Sequence, residues 1–79
     1  MSPTVFRERG YRFLFFSREE PRMHVHVQCA RGEAKFWLEP TLILARSTGL
    51  SGAEIRTIEE IIKERKDEIT SAWHKHFES

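Results

Sequence analysis

A chain of 79 residues makes one domain, near the lower limit of what a single hydrophobic core holds together without disulfides or a structural metal. Thirteen Lys and Arg against twelve Asp and Glu leave a net charge of +1, which argues neither for nor against a nucleic-acid partner. A single Cys rules out an internal disulfide, and uninterrupted apolar runs such as Phe13–Phe16 fall far short of the roughly 20 residues a membrane helix needs.

The charge is uneven along the chain. Residues 1–50 hold eight basic and five acidic side chains, and residues 51–79 hold five and seven. The front half is therefore mildly basic, which is most simply an ordinary solvated surface. With one Cys and no charged-then-apolar leader, the expected setting is a reducing cytoplasm.

Residues 3–7 are β-branched and aromatic and predict a first strand, and Arg9-Gly10 predicts a tight turn into a second strand over 11–16. That second run is apolar on both faces, with Tyr11, Phe13 and Phe15 on one and Leu14 and Phe16 beside Arg12 on the other, so it belongs in the sheet interior. The charged segment 17–22, which contains Pro21, reads as a loop.

A third strand follows over 24–29. Successive side chains point to opposite faces, which sets Val25, Val27 and Cys29 on one side and His24, His26 and Gln28 on the other. After a turn at Arg31-Gly32, residues 33–38 alternate again, with Ala34, Phe36 and Leu38 against Glu33, Lys35 and Trp37. Pro40 cannot donate to a ladder, and for 41–45 an edge strand is preferred to a short helix.

Ser51 followed by Glu54 is a capping box, and Leu50 with Ile55 is the matching hydrophobic staple, so a helix starts at residue 52. Ile55, Ile58, Ile62, Ile69, Trp73 and Phe77 share one stripe at about 100° per residue, which predicts a single helix over 52–77. Strands first and a helix last give an α+β domain over 1–79. Its antiparallel sheet has about four strands and a fifth at the edge, and one long C-terminal amphipathic helix packs on one face. Val25, Val27, Ala34, Phe36 and Leu38 should meet the helix stripe. The face carrying His24, His26, Lys35 and Trp37 is then expected to lie open.

Chemistry on that face starts with His24 and His26. Residues i and i+2 of a strand lie about 6.6 Å apart by rise, and imidazole titrates near neutrality, so the pair could act as acid and base in cleaving a phosphodiester. The plainer alternative is that both are tolerated polar-face residues. A metal site is weaker, because Cys29 has the opposite parity, and His74 and His76 stand about 200° apart around the helix axis and cannot chelate together. No metal and no cofactor are therefore expected. Trp37 beside Lys35 on one face, with Arg12 among the basic residues of the front half, forms a basic-aromatic mixture. Such a mixture suits stacking on single-stranded RNA or a protein interface; the plainer alternative is that Trp37 packs under the loop from Ser17 to Arg22. The edge near residues 40–45 would permit strand addition by a partner or a second copy of the chain.

Several segments taken together resemble a bacterial family known as domain of unknown function 4160. They are Pro3-Thr4-Val5-Phe6 leading into Gly10-Tyr11-Arg12-Phe13, then His24-Val25-His26-Val27, Glu33 through Pro40, and Trp73-His74-Lys75-His76-Phe77. Where the family pattern carries a Pro-Pro pair before its His-Val-His-Val, this chain has Arg22-Met23. The resemblance implies a small cytoplasmic protein, a candidate component of a toxin–antitoxin pair with a neighbouring gene product as its mate, and it assigns no catalytic residue. The expected function is thus protein interaction through the open sheet face or its edge. The alternative is a metal-independent ribonuclease toxin or RNA-binding protein using His24 and His26.

Overall fold

The computed structural model describes residues 4–16 and 21–78. Pro3 of the first predicted strand and residues 17–20 of the predicted loop lie outside the described residues. Five strands, β1 (Thr4–Glu8), β2 (Tyr11–Leu14), β3 (His24–Gln28), β4 (Glu33–Trp37) and β5 (Ile43–Thr48), form one antiparallel sheet in sequence order. Every connection therefore joins neighbours. At the β1–β2 hairpin both turn residues, Arg9 and Gly10, take positive φ (54° and 83°), the handedness that matches the twist of the flanking strands. Gly32 is required for a different reason: a Cβ there would run into the carbonyl oxygen of Thr48, where the β3–β4 turn lies against the end of β5.

The fifth strand is real but displaced, 43–48 rather than 41–45. Its apolar start marked the segment, whereas the pairing with β4 runs on through Arg46, Ser47 and Thr48, polar residues that an exposed edge tolerates. The second strand is shorter than its apolar run. Phe15 and Phe16 leave the ladder after Leu14, and Phe15 is buried by ring contacts with Trp73 instead of by strand pairing.

Two helices replace the one long helix expected, α1 (Gly52–Glu64) and α2 (Lys66–Glu78), with a break at Arg65 (φ −114°, ψ 25°). The break has a physical reason. Arg65 follows Ile58 by seven residues and precedes Ile69 by four, so it occupies the buried stripe where an apolar side chain would be expected. Its guanidinium lies 3.6 Å from the Phe6 ring centroid, bonds the Glu8 carboxylate at 2.8 Å and also pairs with Glu68. These partners hold its pKa above the ordinary arginine value, the Glu8 hydrogen bond most of all. The junction of the two helices is thus fastened to β1 through a cation.

Phe6, Tyr11, Phe13, Val25, Val27, Ala34, Phe36 and Leu38 form one core with Ile58, Ile61, Ile62, Ile69 and Trp73. This is the predicted pairing of sheet face and helix stripe, with Ile61 added and Phe77 left exposed. The capping box is present in both directions: Ser51 Oγ accepts from the Glu54 N–H, and Glu54 accepts from the Ser51 N–H.

Ile62→Ala should cost about 2–5 kcal/mol from lost burial and the cavity left behind. Ile62→Asp should leave no cooperative transition in urea, because it buries an unpaired charge between helix and sheet. A cooperative Ile62→Asp variant would contradict this packing. Glu54 accepts the Ser51 N–H and pairs with Arg31, so its pKa lies below the usual carboxylate value. A depressed folded-state pKa contributes stability that is present above the unfolded value and lost as pH falls through the folded one. Melting temperature should therefore fall between pH 5 and pH 3, and fall less in Glu54→Gln, as thermal scans would show.

Candidate functional site

Cross-strand register decides which side chains share the second sheet face. One row runs Thr4, Leu14, His26, Lys35, Arg46 from β1 to β5, and the adjacent row runs Arg7, Arg12, Gln28, Glu33, Thr48. Beyond the first row, His24 stands opposite Trp37, and Trp37 opposite Ile43. His24, His26, Lys35 and Trp37 are therefore brought together as the alternation implied. Arg12 belongs to the other end of the face.

The expectation that this face lies open is corrected by burial. His24 is 0% exposed, His26 4% and Lys35 5%. The β2–β3 ladder ends at Leu14 opposite His26, so His24 has no β2 partner beside it. Trp73 of α2 reaches this end of the sheet, with its ring 5.3 Å from Phe15 and 5.1 Å from His24. The C-terminal helix is thus not remote from the imidazole pair. Phe16 lies 4.0 Å from the His26 ring, and His24 contacts both His26 (5.2 Å) and Trp37 (5.5 Å) edge-on.

The polar groups fit into this ring cluster individually. His24 Nδ1 donates to the Arg22 carbonyl at 2.7 Å, so that Nδ1 carries a proton. The Lys35 ammonium and the Arg22 guanidinium each lie 4.3 Å from the Trp37 ring centroid, where the ring quadrupole attracts a cation. Trp37, the aromatic on the polar face, is thereby accounted for by two cations and an imidazole. Two imidazoles at this separation have the spacing of an acid and a base, but a catalytic pair must also reach its substrate. These are packed among rings.

At the hairpin end of β1 and β2 a cleft of about 370 Å³ is lined by residues of both sheet faces, Arg7, Arg12 and Gln28 of one with Tyr11 and Cys29 of the other, together with Gly10 and Ala30. Arg12 and Arg7 are both among the basic residues of the front half read from sequence, but their place opposite each other was not. The signal that would have found it is register, because a two-residue turn at Arg9-Gly10 sets Arg7 opposite Arg12. Cys29 is a free thiol, partly buried at the cleft wall. His74 is exposed, and His76 stacks near Phe15 and Phe77. Among the described residues, no three His, Cys, Asp or Glu side chains are placed to hold a metal ion, and no helix is long and apolar enough to cross a membrane.

The family model for the domain of unknown function DUF4160 matches residues 10–74. The chain belongs to this family. The DUF4160 segment takes in β2 through Trp73, and so both imidazoles, Trp37 and the ring that covers His24. No curated protein and no solved structure matches the chain.

Diethyl pyrocarbonate, which acylates accessible imidazoles, should modify His74 rapidly and His24 and His26 only after denaturant is added, read by peptide mass spectrometry. Labelling of His24 at the rate of His74 in the folded protein would contradict the buried cluster.

Proposed function

We propose that this chain is a protein-binding module that takes up a partner strand along β5, as one component of a two-protein pair of the toxin–antitoxin kind. The observation that carries the proposal is the exposure of β5. All six residues from Ile43 to Thr48 are exposed, with Ile43 at 47% and Leu44 at 36%, while β2 and β3 on the other side of β4 are mostly buried. The edge presents apolar Ile43 and Leu44 on opposite faces, followed by Arg46, Ser47 and Thr48, and hydrogen-bonds β4 along its inner side. An added strand would pair with the outer backbone groups, and side chains of alternate parity would set its specificity.

Of the two surfaces expected from the sequence, the sheet face and its edge, this reading takes the edge, since the imidazoles of the face are buried. Burial also counts against the ribonuclease alternative, since His24 and His26 would have to leave a packed ring cluster to meet RNA. No cofactor enters the proposal.

The test is co-expression with the product of the adjacent gene. The native chain should co-purify with it as a stable complex, and Ile43→Lys/Leu44→Glu, which charges an exposed edge without touching the core, should abolish the complex while shifting the melting temperature by less than about 3 °C. A charged-edge variant that binds as tightly as the native chain would overturn the proposal. RNA incubated with the native chain and with His24→Ala/His26→Ala should survive equally. Loss of RNA with the native chain alone would restore the ribonuclease.

A further inference from the structure

β5 pairs with β4 on one side, and alternate residues along it turn their backbone N–H and C=O groups outward, which makes a template for a further strand. Its register is irregular. Lys35 stands opposite Arg46 and Phe36 opposite Leu44, so Ala45 is an extra residue bulged out of the ladder. The bulge sets Ile43, opposite Trp37, and Arg46, opposite Lys35, on the same face of the sheet, although three residues apart in a regular strand they would point opposite ways. Leu44, opposite Phe36, takes the other face. A bulge also twists an edge and discourages indiscriminate pairing, so side chains decide which strand this edge accepts.

We propose that the partner strand added at β5 is an acidic one, with a carboxylate directly opposite Arg46 and apolar side chains opposite Ile43 and Leu44. The inference rests on β5 being the binding edge and adds the chemistry of what binds there. Arg46 is exposed and makes no ion pair with an acidic side chain among the described residues. Its neighbour on the inner side is a like charge, Lys35. The Lys35 ammonium and the Arg22 guanidinium both lie 4.3 Å from the Trp37 ring centroid, so three cations gather at this corner of the sheet. The nearest acids are placed otherwise: Glu39 accepts the Met23 N–H at 3.3 Å, and Glu33 stands opposite Thr48. Like charges opposite one another destabilise a sheet, and opposite charges across a ladder stabilise it. A carboxylate on the outer side of Arg46 meets both conditions, and its two oxygens match the fork of a guanidinium. A second copy of the chain fits this edge less well. Residues 40–48 hold one charged side chain, Arg46, and no acid, so two β5 strands side by side would set two cations on one seam with no carboxylate between them.

The test selects a phage-displayed library of random peptides, each about nine residues long, on the full chain and maps the selected peptides by backbone amide shifts in NMR. Selected sequences should carry Asp or Glu close to two apolar residues and should shift the amides of Ile43 to Thr48. Replacing the acidic residue of a selected peptide by Lys should weaken binding about fivefold or more. Selection on Arg46→Glu should yield basic peptides instead, and selection on Arg46→Gln should show no charge preference. Both variants should melt with the native chain, since Arg46 is exposed and makes no ion pair among the described residues. Peptides that bind at β5 without an acidic preference, or an acidic preference that survives Arg46→Glu, would overturn the acidic partner while leaving β5 as the binding edge. Failure of every peptide to shift β5 amides would overturn both readings. A chain that sediments as a dimer, with the dimer lost in Ile43→Lys/Leu44→Glu, would replace the acidic partner by a second copy.

Discussion

The structure depends on a central strand that is buried on both faces. From His24 to Val27 every residue of β3 is closed to solvent, two through valines in the helix-covered core and two through imidazoles in a separate cluster of rings. Buried valines need only contact, whereas buried imidazoles also need polar partners and close packing. Trp73 joins the two demands: it belongs to the hydrophobic core through Phe15 and reaches the edge of His24. The break at Arg65 serves the same end. At that break Arg65 is clamped by Glu8 and lies on Phe6, which ties the junction of the two helices to β1, and α2 beyond it carries Trp73.

Much of the fold was legible in the sequence because local chemistry and long-range packing agree there. The capping box at Ser51, the turn at Arg9-Gly10 and the parity of His24 to Gln28 are each set by neighbouring residues, and each appears in the structure as read. The errors fall where local pattern and tertiary context diverge. Periodicity ran straight through Arg65 because the apolar residues on either side of it keep one phase, whereas the break lies in the backbone of Arg65 itself, whose side chain is paired with Glu8 and Glu68. The fifth strand was placed by its apolar start, although its end is decided by the β4 residues it pairs with.

The candidate site was legible as a set of residues and illegible as an environment. Alternation placed His24, His26, Lys35 and Trp37 on one face, and register confirms their proximity. Nothing in a strand's own sequence says whether the opposite face is covered, since the cover here comes from Phe16 after a strand has ended and from Trp73 near the far end of the chain. His24, His26 and Lys35 are buried in a second, polar-edged cluster. Among the described residues of the sheet, every one of β5 is exposed, as is Arg7.

That division between a sealed centre and working margins is the central claim, and amide hydrogen exchange in dilute solution tests it residue by residue. The account predicts that amides of His24 to Val27 exchange only through global unfolding, while the outward-facing amides of Ile43 to Thr48 exchange orders of magnitude faster. Rapid exchange at His24 and His26, or β5 amides all as protected as those of β3, would contradict it.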